Sequence, residues 1–539
     1  MIIAKTGSQN ILSEKLRPCA QFVEYDARSP HKATSPRNGC TKNTRTAILR
    51  TLQEWANDKK TTKVYWLNGM AGTGKTTIAY SFSEMLDKQE SLGGTFFASH
   101  LLVDTSDVNC IIPTISLQLA KYFPFLGPLI LDAVEGNPSC SSWRISRQFL
   151  NFMVKPLTAA FRDNKDIVAT PVIVLDALDE CSDQSLVAEL LSVILEHSKV
   201  LPVKFSITSR PEVLVKETFD HNWGHSNLIL HEVEKEIVQA DIELYIKACL
   251  VSSYNKPNWP SKAEVERLVN MSGTLFIYAA TVCKYIAQRG SSSMPQRLSD
   301  VVDSTLETTS GLTHPLDALY ERILSAAYTL ANQREKSYIK LVLTAVVYAY
   351  NPLSMTAISG LMQISTAHIE AALSSLHSLI HVPFQDPNIP ISILHASFYD
   401  FISSQSHSLE YYLDPCASHK SLAFQCLLLM DKEWSGRKNV SYLAERRRGE
   451  ISESLAYACC YWASHFTYTN NNPGSDILKH FFETHLLRWI DCLSIMGKLE
   501  TAMHSLLKLK SQVSSLITAK INFAKNRELD TKYLGDDSN

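Results

Sequence analysis

Eight consecutive residues constrain the fold of this chain more than any other segment. They read Gly69-Met70-Ala71-Gly72-Thr73-Gly74-Lys75-Thr76. This segment matches the pattern GxxxxGK[ST] in full, and it holds three of the chain's 19 glycines. Glycine adopts backbone angles that a Cβ atom forbids, so the loop can curl with successive N–H groups turned inward. Inward N–H groups at the start of a helix bind phosphate oxygens, and the segment therefore predicts a phosphate-binding loop.

The flanking segments have the strand–loop–helix context that this motif requires. The apolar run Val64–Leu67 precedes the loop, and a helical pattern follows over Thr77–Leu86. We expect Lys75 to reach the β- and γ-phosphates and the Thr76 hydroxyl to bind Mg²⁺. Phosphate contacts are predicted for all eight loop residues and for Thr77. The alternative is a glycine-rich turn with a surface lysine.

A cluster of acidic residues follows the third apolar run, Val172–Leu175. A carboxylate at the carboxyl end of a parallel strand faces the ligand crevice of an open α/β sheet. Asp176 is therefore the candidate that holds Mg²⁺, through water. Asp179 or Glu180 would polarise an attacking water molecule. The alternative is an acidic helix start, which the helix dipole favours without any ligand.

The fourth apolar run ends in an arginine. Phe205–Thr208 is followed by Ser209 and Arg210. If this strand lies between the first and the third, Arg210 is close to the phosphate-binding loop and can contact the γ-phosphate. The alternative is a solvated arginine that follows a strand.

Five short apolar runs, separated by helical patterns, predict an α/β unit with a parallel sheet. The runs are Val64–Leu67, Thr95–Ala98, Val172–Leu175, Phe205–Thr208 and Leu228–Leu230. After about residue 235 the patterns are helical. We predict a poorly ordered lead-in (1–40), an NTPase core (41–235), a helical subdomain (236–312), a winged-helix domain (313–405), a C-terminal helical segment (406–525) and a polar tail (526–539).

The winged-helix prediction depends on helices followed by a short hairpin. Ser354 and Ser365 each precede a helical pattern. Val382–Phe384 and Ile391–Leu394 then flank Asp386-Pro387-Asn388, which is a turn sequence.

Composition argues against several classes of partner. Lys+Arg total 52 and Asp+Glu total 54, so 52 − 54 gives a net charge of −2 and no large positive field for nucleic acid. Residues 353–403 contain no Lys or Arg, and the basic run 446–448 is flanked by glutamates. The chain has 12 Cys without a CxxC pair, and no apolar run of membrane-spanning length. We expect a cytoplasmic protein with reduced thiols that binds neither membrane nor nucleic acid.

The loop, the acidic cluster and Thr208-Ser209-Arg210-Pro211 resemble the NACHT-type P-loop ATPases, which are signal-transduction ATPases with numerous domains. Later phrases are similar to fungal NOD-like receptors, which are often identified by their likeness to the nephrocystin-3 N-terminal region. These phrases are Ile112–Ala120, Leu275–Thr281, Leu394–Phe401 and Tyr457–Trp462. The resemblance spans about residues 40–505.

The resemblance implies a five-stranded parallel sheet in the order 5-1-4-3-2, followed by a helical subdomain, a winged helix and further helices. It also implies that ADP lies between the core and the winged helix, where His395 would contact the β-phosphate. A histidine beside Phe398 is also typical of a core residue with its hydrogen bonds satisfied. The sequence departs from the family at three places. Arg45 lacks a preceding Gly, Gly273-Thr274-Leu275 lacks the Pro, and Ser99 is followed by His100 rather than Arg.

We therefore expect an ATP/ADP-binding switch that uses Mg²⁺, hydrolyses ATP slowly and oligomerises with ATP bound. Its length leaves no room for an effector domain or a repeat sensor, so partners would supply them. A nucleotide-stabilised scaffold without turnover is the main alternative. Nucleic-acid binding through the winged helix and a small-molecule kinase are further alternatives.

Overall fold

The computed structural model describes most of the chain, with the backbone alone at Asp163, His231, Ser475, Asp476 and Lys510. It describes Leu12, Leu16 and residues 39–100, 102–134, 143–163, 170–221, 225–254, 256–288, 293–303, 315–329, 331–383, 386–435, 451–468 and 475–510. The predicted polar tail and the basic run 446–448 lie outside these residues. The chain divides into two compact units, Met1–Leu316 and Asp317–Asn539.

Five parallel strands form the sheet of the first unit. They are β1 (Val64–Asn68), β2 (Leu92–Phe97), β3 (Val172–Asp176), β4 (Lys204–Ser209) and β5 (His225–Ile229). Their order is β2-β3-β4-β1-β5, which is the predicted order read from the other edge. All five predicted strands are present with shifted ends, and β4 lies between β1 and β3 as expected. The sheet has the strand order predicted for a P-loop NTPase core, and the fold class is confirmed.

Both faces of the sheet are buried, as a parallel sheet requires. Every residue of β1, β3 and β4 is buried, whereas the edge strand β5 is half-buried. Val64 and Trp66 contribute to one apolar cluster, and Tyr65 and Leu67 contribute to a second. The alternation of side chains along β1 thus supplies two cores, and helices cover both.

Helices connect the strands of the first unit and continue after the last one. They are α1 (Thr46–Asn57), α2 (Lys75–Lys88), α3 (Val103–Ser106), α4 (Ile111–Tyr122), α5 (Leu126–Val134), α6 (Ile145–Phe149), α7 (Lys155–Asp163), α8 (Gln184–His197), α9 (Val213–Asp220), α10 (Lys235–Ser253), α11 (Lys262–Ser272), α12 (Phe276–Ala287) and α13 (Met294–Asp303). A π-helical turn, Leu150–Val154, joins α6 to α7. Ser261 caps α11 through a capping box with Glu264, and Gly273 ends that helix at a φ of 56°.

Two residues of the segment 1–40, which is predicted to be a poorly ordered lead-in, lie in the core of the first unit, and the lead-in itself stays a prediction. Leu12 and Leu16 are helical, fully buried and part of a core cluster of the first unit. Apolar residues four positions apart lie on one face of a helix, so both side chains can enter the core together. The sequence carried this short signal within a polar segment.

The second unit is helical apart from one hairpin. Its elements are α14 (Pro315–Thr329), α15 (Gln333–Tyr348), α16 (Met355–Met362), α17 (Thr366–Leu373), β6 (Ile380–His381), β7 (Ser392–Ile393), α18 (Ala396–Ile402), α19 (Gln405–Ser408), α20 (Pro415–Trp434), α21 (Glu453–Thr467), α22 (Ser475–Thr484), α23 (Leu486–Ile495) and α24 (Leu499–Lys510). Among the helices that the structure describes, none is both long and apolar enough to span a bilayer.

The hairpin exists, but its first strand was placed wrongly. Antiparallel pairing joins Ile380 to Ile393 and His381 to Ser392, whereas Val382–Phe384 was predicted. Pro383 has no N–H group to donate to a ladder, so pairing ends before it. Helices begin directly after Ser354 and Ser365, as predicted, and the two serines cap α16 and α17.

A buried lysine fixes the carboxyl end of α1. Lys204, at the start of β4, is 0 % exposed. Its ammonium donates to the carbonyl oxygens of Trp55, Ala56 (3.3 Å) and Asp58 (2.7 Å) and to the Thr61 hydroxyl (3.1 Å). Burial lowers the pKa of Lys204 to about 8, so the group is still protonated at pH 7. The lysine therefore satisfies carbonyls that a helix end leaves without partners.

We expect Lys204→Met to lower the free energy of unfolding of the first unit by about 2 kcal/mol or more, because it leaves buried carbonyls unsatisfied. Urea denaturation measures the change. Lys199→Met is the matched control, since Lys199 is an exposed lysine before the same strand. Equal transition midpoints for the two variants would contradict this role of Lys204.

Candidate nucleotide-binding site

The phosphate-binding loop connects β1 directly to α2. Its first N–H, at Gly69, donates to the Ser209 carbonyl of β4 at 3.3 Å, and α2 begins at Lys75. Gly72 and Gly74 have φ angles of 77° and 91°, which L-residues with a Cβ atom rarely adopt. The loop therefore has the curled backbone and the helix N-terminus that bind phosphate oxygens.

The start of helix α12 lies against this loop. The Ile277 N–H donates to the Gly72 carbonyl at 3.2 Å. A Cβ atom placed on Gly72 would lie 2.1 Å from Ile277 Cγ2. Two features therefore require glycine at position 72, namely its positive φ angle and the close approach of helix α12. The sequence indicated the segment Leu275–Thr281 only by its likeness to a family. No feature of that segment predicts contact with a loop 205 residues away.

Arg45 is a second contact to the loop that sequence reasoning did not place. Its Nη2 donates to the Thr73 carbonyl at 2.9 Å, and its guanidinium lies 4.4 Å from the centre of the Phe276 ring. Its backbone N–H donates to Asp241 Oδ2 at 3.0 Å, at a φ of 56°. Arg45 thus joins the start of α1 to the loop, to α12 and to α10. The sequence indicated Arg45 only as a family arginine that lacks its preceding Gly.

Arg45 is buried, at 4 % exposure. Burial lowers the pKa of its guanidinium, and the Asp241 carboxylate acts in the opposite direction. An arginine stays protonated in proteins, so its charge is kept beside the loop. Its Nε and Nη1 have no hydrogen-bond acceptor among the described residues.

Lys75 lies at the centre of the predicted charged residues. Its ammonium donates to the carbonyl oxygens of Gly69 at 2.6 Å and Met70 at 3.1 Å. Burial lowers the pKa of Lys75, and the nearby carboxylates oppose this shift. The charges that act on it are those of Asp179, Arg210, Asp176 and Glu180. The structure therefore brings the predicted charged residues of the core together around one ammonium group.

Asp176 is held at the end of β3 by the neighbouring strand. It is 1 % exposed, and its Oδ1 accepts a hydrogen bond from the Thr208 hydroxyl at 2.6 Å. The same hydroxyl accepts from the Ala177 N–H at 2.9 Å. Thr208 thus fixes the carboxylate and the backbone turn that follows it, which gives Asp176 a defined orientation.

Asp179 and Arg210 form an ion pair. Arg210 Nε lies 3.0 Å from Asp179 Oδ2, and the Arg210 N–H donates to Asp179 Oδ1 at 2.9 Å. Burial raises the pKa of Asp179, while Lys75 and Arg210 act to lower it. Both carboxylate oxygens therefore contact Arg210, and Asp179 sets the direction of that side chain.

Glu180 has a different partner. Its Oε2 lies 3.1 Å from His100 Nδ1 and accepts a hydrogen bond from the His100 N–H at 3.3 Å. The side chain of Glu180 is 23 % exposed, against 6 % for Asp179. His100, which stands where the resembled family has Arg, therefore contacts the acidic cluster. Glu180 is the more accessible of Asp179 and Glu180.

The residues present fit a nucleotide phosphate with Mg²⁺. Three carboxylates and two cations meet at this edge of the sheet, so the cluster has one negative charge in excess, which a divalent cation offsets. Thr76 is exposed on the first turn of α2, and its hydroxyl and the Asp176 carboxylate would hold the ion. The loop N–H groups and Lys75 would bind the phosphate oxygens, and a bound Mg²⁺ would neutralise charge on the β- and γ-phosphates.

His395 belongs to the second unit, where it caps a helix. Its Nδ1 accepts from the Ser397 N–H at 3.1 Å and lies 2.7 Å from the Ser397 hydroxyl. That hydroxyl is 2.8 Å from the hydroxyl of Tyr320. These contacts give His395 a structural role in α18, and its contact with nucleotide stays a prediction.

Comparison with known proteins supports the assignment of the core. Residues 43–210 match the family described as Nephrocystin 3, N-terminal. This range includes the phosphate-binding loop, the acidic cluster and Arg210. The match lies within the unit whose sheet has the strand order predicted for a P-loop NTPase core. A comparison with curated proteins finds no match.

Solved structures align over most of the chain, but with low similarity. A Pyrococcus horikoshii signal transduction ATPase with numerous domains and a tetratricopeptide repeat sensor is 14 % identical, with a TM-score of 0.40. The alignment covers 93 % of this chain and 69 % of that one. Drosophila ORC bound to poly(dA/dT) DNA and Cdc6 is 10 % identical, with a TM-score of 0.24 and coverages of 97 % and 72 %. At these scores neither structure supports a functional argument.

We expect Gly72→Ala to destabilise the first unit more than Gly74→Ala. Both substitutions place a Cβ atom at a positive φ, which costs about 1–2 kcal/mol. Only Gly72→Ala also collides with Ile277, since a Cβ at Gly74 meets no atom within 4 Å. Overpacking adds about 1–3 kcal/mol. Thermal unfolding of both variants without nucleotide measures the difference, and equal midpoints would show that α12 does not constrain the loop.

Proposed function

We propose that this protein is a nucleotide-operated switch built on a NACHT-type ATPase core. The observation that carries the proposal is a complete phosphate-binding loop between β1 and α2, with Asp176 at the end of β3 and the Asp179–Arg210 ion pair directly after the neighbouring strands. These are the parts that phosphoryl-transfer sites need, because catalysis there depends on positioning and on neutralising charge.

The contacts of the loop suggest how the nucleotide would act on the rest of the unit. Lys75 must exchange the carbonyls of Gly69 and Met70 for phosphate oxygens before it can bind nucleotide. The neighbouring carbonyls of Gly72 and Thr73 accept hydrogen bonds from Ile277 and Arg45. A shift of the loop backbone would therefore reach α12 directly, and α1 and α10 through Arg45.

The two acids would have separate roles in hydrolysis. Glu180, the more accessible one, would polarise the attacking water. Asp179 would position Arg210, which would contact the γ-phosphate once its pairing changes. Slow ATP hydrolysis would fit this site, because Glu180 must first leave His100 and the Asp179–Arg210 ion pair must first separate.

The finer parts of the proposal come from the family resemblance. ADP would hold a closed form in which His395 of the winged helix contacts the β-phosphate, and ATP with Mg²⁺ would favour an open form that oligomerises. The role would be signalling or non-self recognition, as in fungal NOD-like receptors, with effector or sensor proteins as partners. Moving a switch from 1:99 to 99:1 takes about 5.5 kcal/mol of differential nucleotide binding. The alternative is a nucleotide-stabilised scaffold without turnover.

We expect Lys75→Ala to abolish the nucleotide that copurifies with the protein, because the variant loses the ammonium that contacts the phosphates. Mass spectrometry of the released nucleotide measures occupancy. Lys88→Ala is the matched control, since Lys88 lies on the same helix, is 71 % exposed and pairs with solvent-exposed Glu84. Wild-type occupancy in Lys75→Ala would show that nucleotide is not held at this loop.

We expect Glu180→Gln to reduce ATP hydrolysis by about 100-fold or more while ATP stays bound, as is typical for the loss of a general base. Phosphate release is compared among wild type, Glu180→Gln and Asp179→Asn. A larger loss in Asp179→Asn would assign water activation to Asp179 instead. Release from wild type no faster than from Lys75→Ala would favour the scaffold.

A further inference from the structure

Three side chains from separate helical segments meet in the second unit, within the C-terminal helical segment that the proposed function does not use. Asp431 lies on α20, His480 lies on α22, and His485 immediately precedes α23. His480 Nε2 is 3.2 Å from Asp431 Oδ1, and His485 Nε2 is 2.8 Å from the same oxygen. The potential ligand atoms of all three residues lie within 4.8 Å of one another.

These distances suit a single tetrahedral ion. Zinc binds imidazole nitrogen and carboxylate oxygen at about 2.0–2.1 Å, which places neighbouring ligand atoms about 3.3 Å apart on the edges of a tetrahedron. The two imidazole rings are nearly perpendicular, at 84°, with centroids 5.5 Å apart. Small side-chain rotations would therefore direct both Nε2 atoms and the carboxylate at one point.

The hydrogen bonds of Asp431 also indicate a cation. Three polar groups lie close to Oδ1, namely the two Nε2 atoms and the Ser435 hydroxyl at 2.8 Å. A carboxylate oxygen offers two lone pairs, and each Nε2 carries either a proton or a lone pair, depending on the tautomer. A metal ion suits this arrangement, because both imidazoles can then direct lone pairs at the ion instead of N–H groups at the oxygen.

We propose that Asp431, His480 and His485 form a Zn²⁺ site that ties helix α20 to the α22–α23 segment. Two imidazoles and one carboxylate are ligands that zinc prefers, and three protein ligands leave the fourth position to water. His485 is 4 % exposed beside the Trp434 ring, so it is a fixed ligand. His480 and Asp431 are 56 % and 41 % exposed, so the ion can enter from solvent.

Equilibrium dialysis of the metal-stripped full chain against Zn²⁺ tests the site. We expect wild type to bind one Zn²⁺ ion per chain at this site. His480→Ala should bind it at least about 10–100-fold more weakly, because removing even a residue that only supports a metal ligand weakens metal binding by that factor. His480 is half-exposed, so the variant should fold. Equal zinc binding by wild type and His480→Ala would overturn the proposal.

His407→Ala is the matched control. His407 Nδ1 lies 2.8 Å from Asp317 Oδ2 and the histidine is 52 % exposed, so it forms a similar His–carboxylate pair in the same unit. Among the described residues, the Asp431 cluster is the one in which a carboxylate has two histidines close to it rather than one. We expect His407→Ala to bind zinc as wild type does. An equal loss in both variants would show general binding by surface histidines and would overturn the site.

Co²⁺ in place of Zn²⁺ gives a second readout, which reports the coordination geometry. Tetrahedral Co²⁺ absorbs visible light far more strongly than octahedral Co²⁺. We expect a strong visible spectrum in wild type and in His407→Ala, and its loss in His480→Ala. A wild-type spectrum of the weak octahedral kind would contradict the proposed geometry.

Discussion

Burial of both faces of the parallel sheet is the constraint on which the first unit depends. Helices must cover both faces, so polar chemistry is left to the edge where the strands end. Asn68, Asp176, Thr208 and Ser209 are buried polar residues at the carboxyl ends of β1, β3 and β4. The hydrogen bonds among them orient the acidic cluster and place the loop beside it. The site is thus a consequence of how the sheet is covered, and it could not lie on either face.

The sequence was sufficient where the signal is local. Each of the five strands is an apolar run between helical patterns, and the loop residues are contiguous, so both could be predicted. The strand order came from the family resemblance and not from the residues. The misplaced strand of the hairpin has a local cause, because Pro383 ends the pairing.

The contacts that complete the site could not be predicted, because they join distant parts of the chain. Ile277 reaches Gly72, and Arg45 reaches Thr73, through packing that no short pattern encodes. Asp431 is likewise separated by about fifty residues from His480 and His485, so no metal-binding spacing appears in the sequence. Residue types and spacing indicated which chemistry was available, whereas tertiary structure decided which groups meet.

Helix α1 is attached by a buried cation at each end. Arg45 joins its start to the loop at the carboxyl edge of the sheet, and Lys204 joins its end to the beginning of β4. Both cations would lose their hydrogen-bond partners together if α1 detached, so partial opening of this helix breaks both sets of contacts at once. Residues 45–58 should therefore exchange their amide hydrogens only when the sheet itself unfolds, as one cooperative unit. A helix at the boundary of the core thus joins the two edges of the sheet.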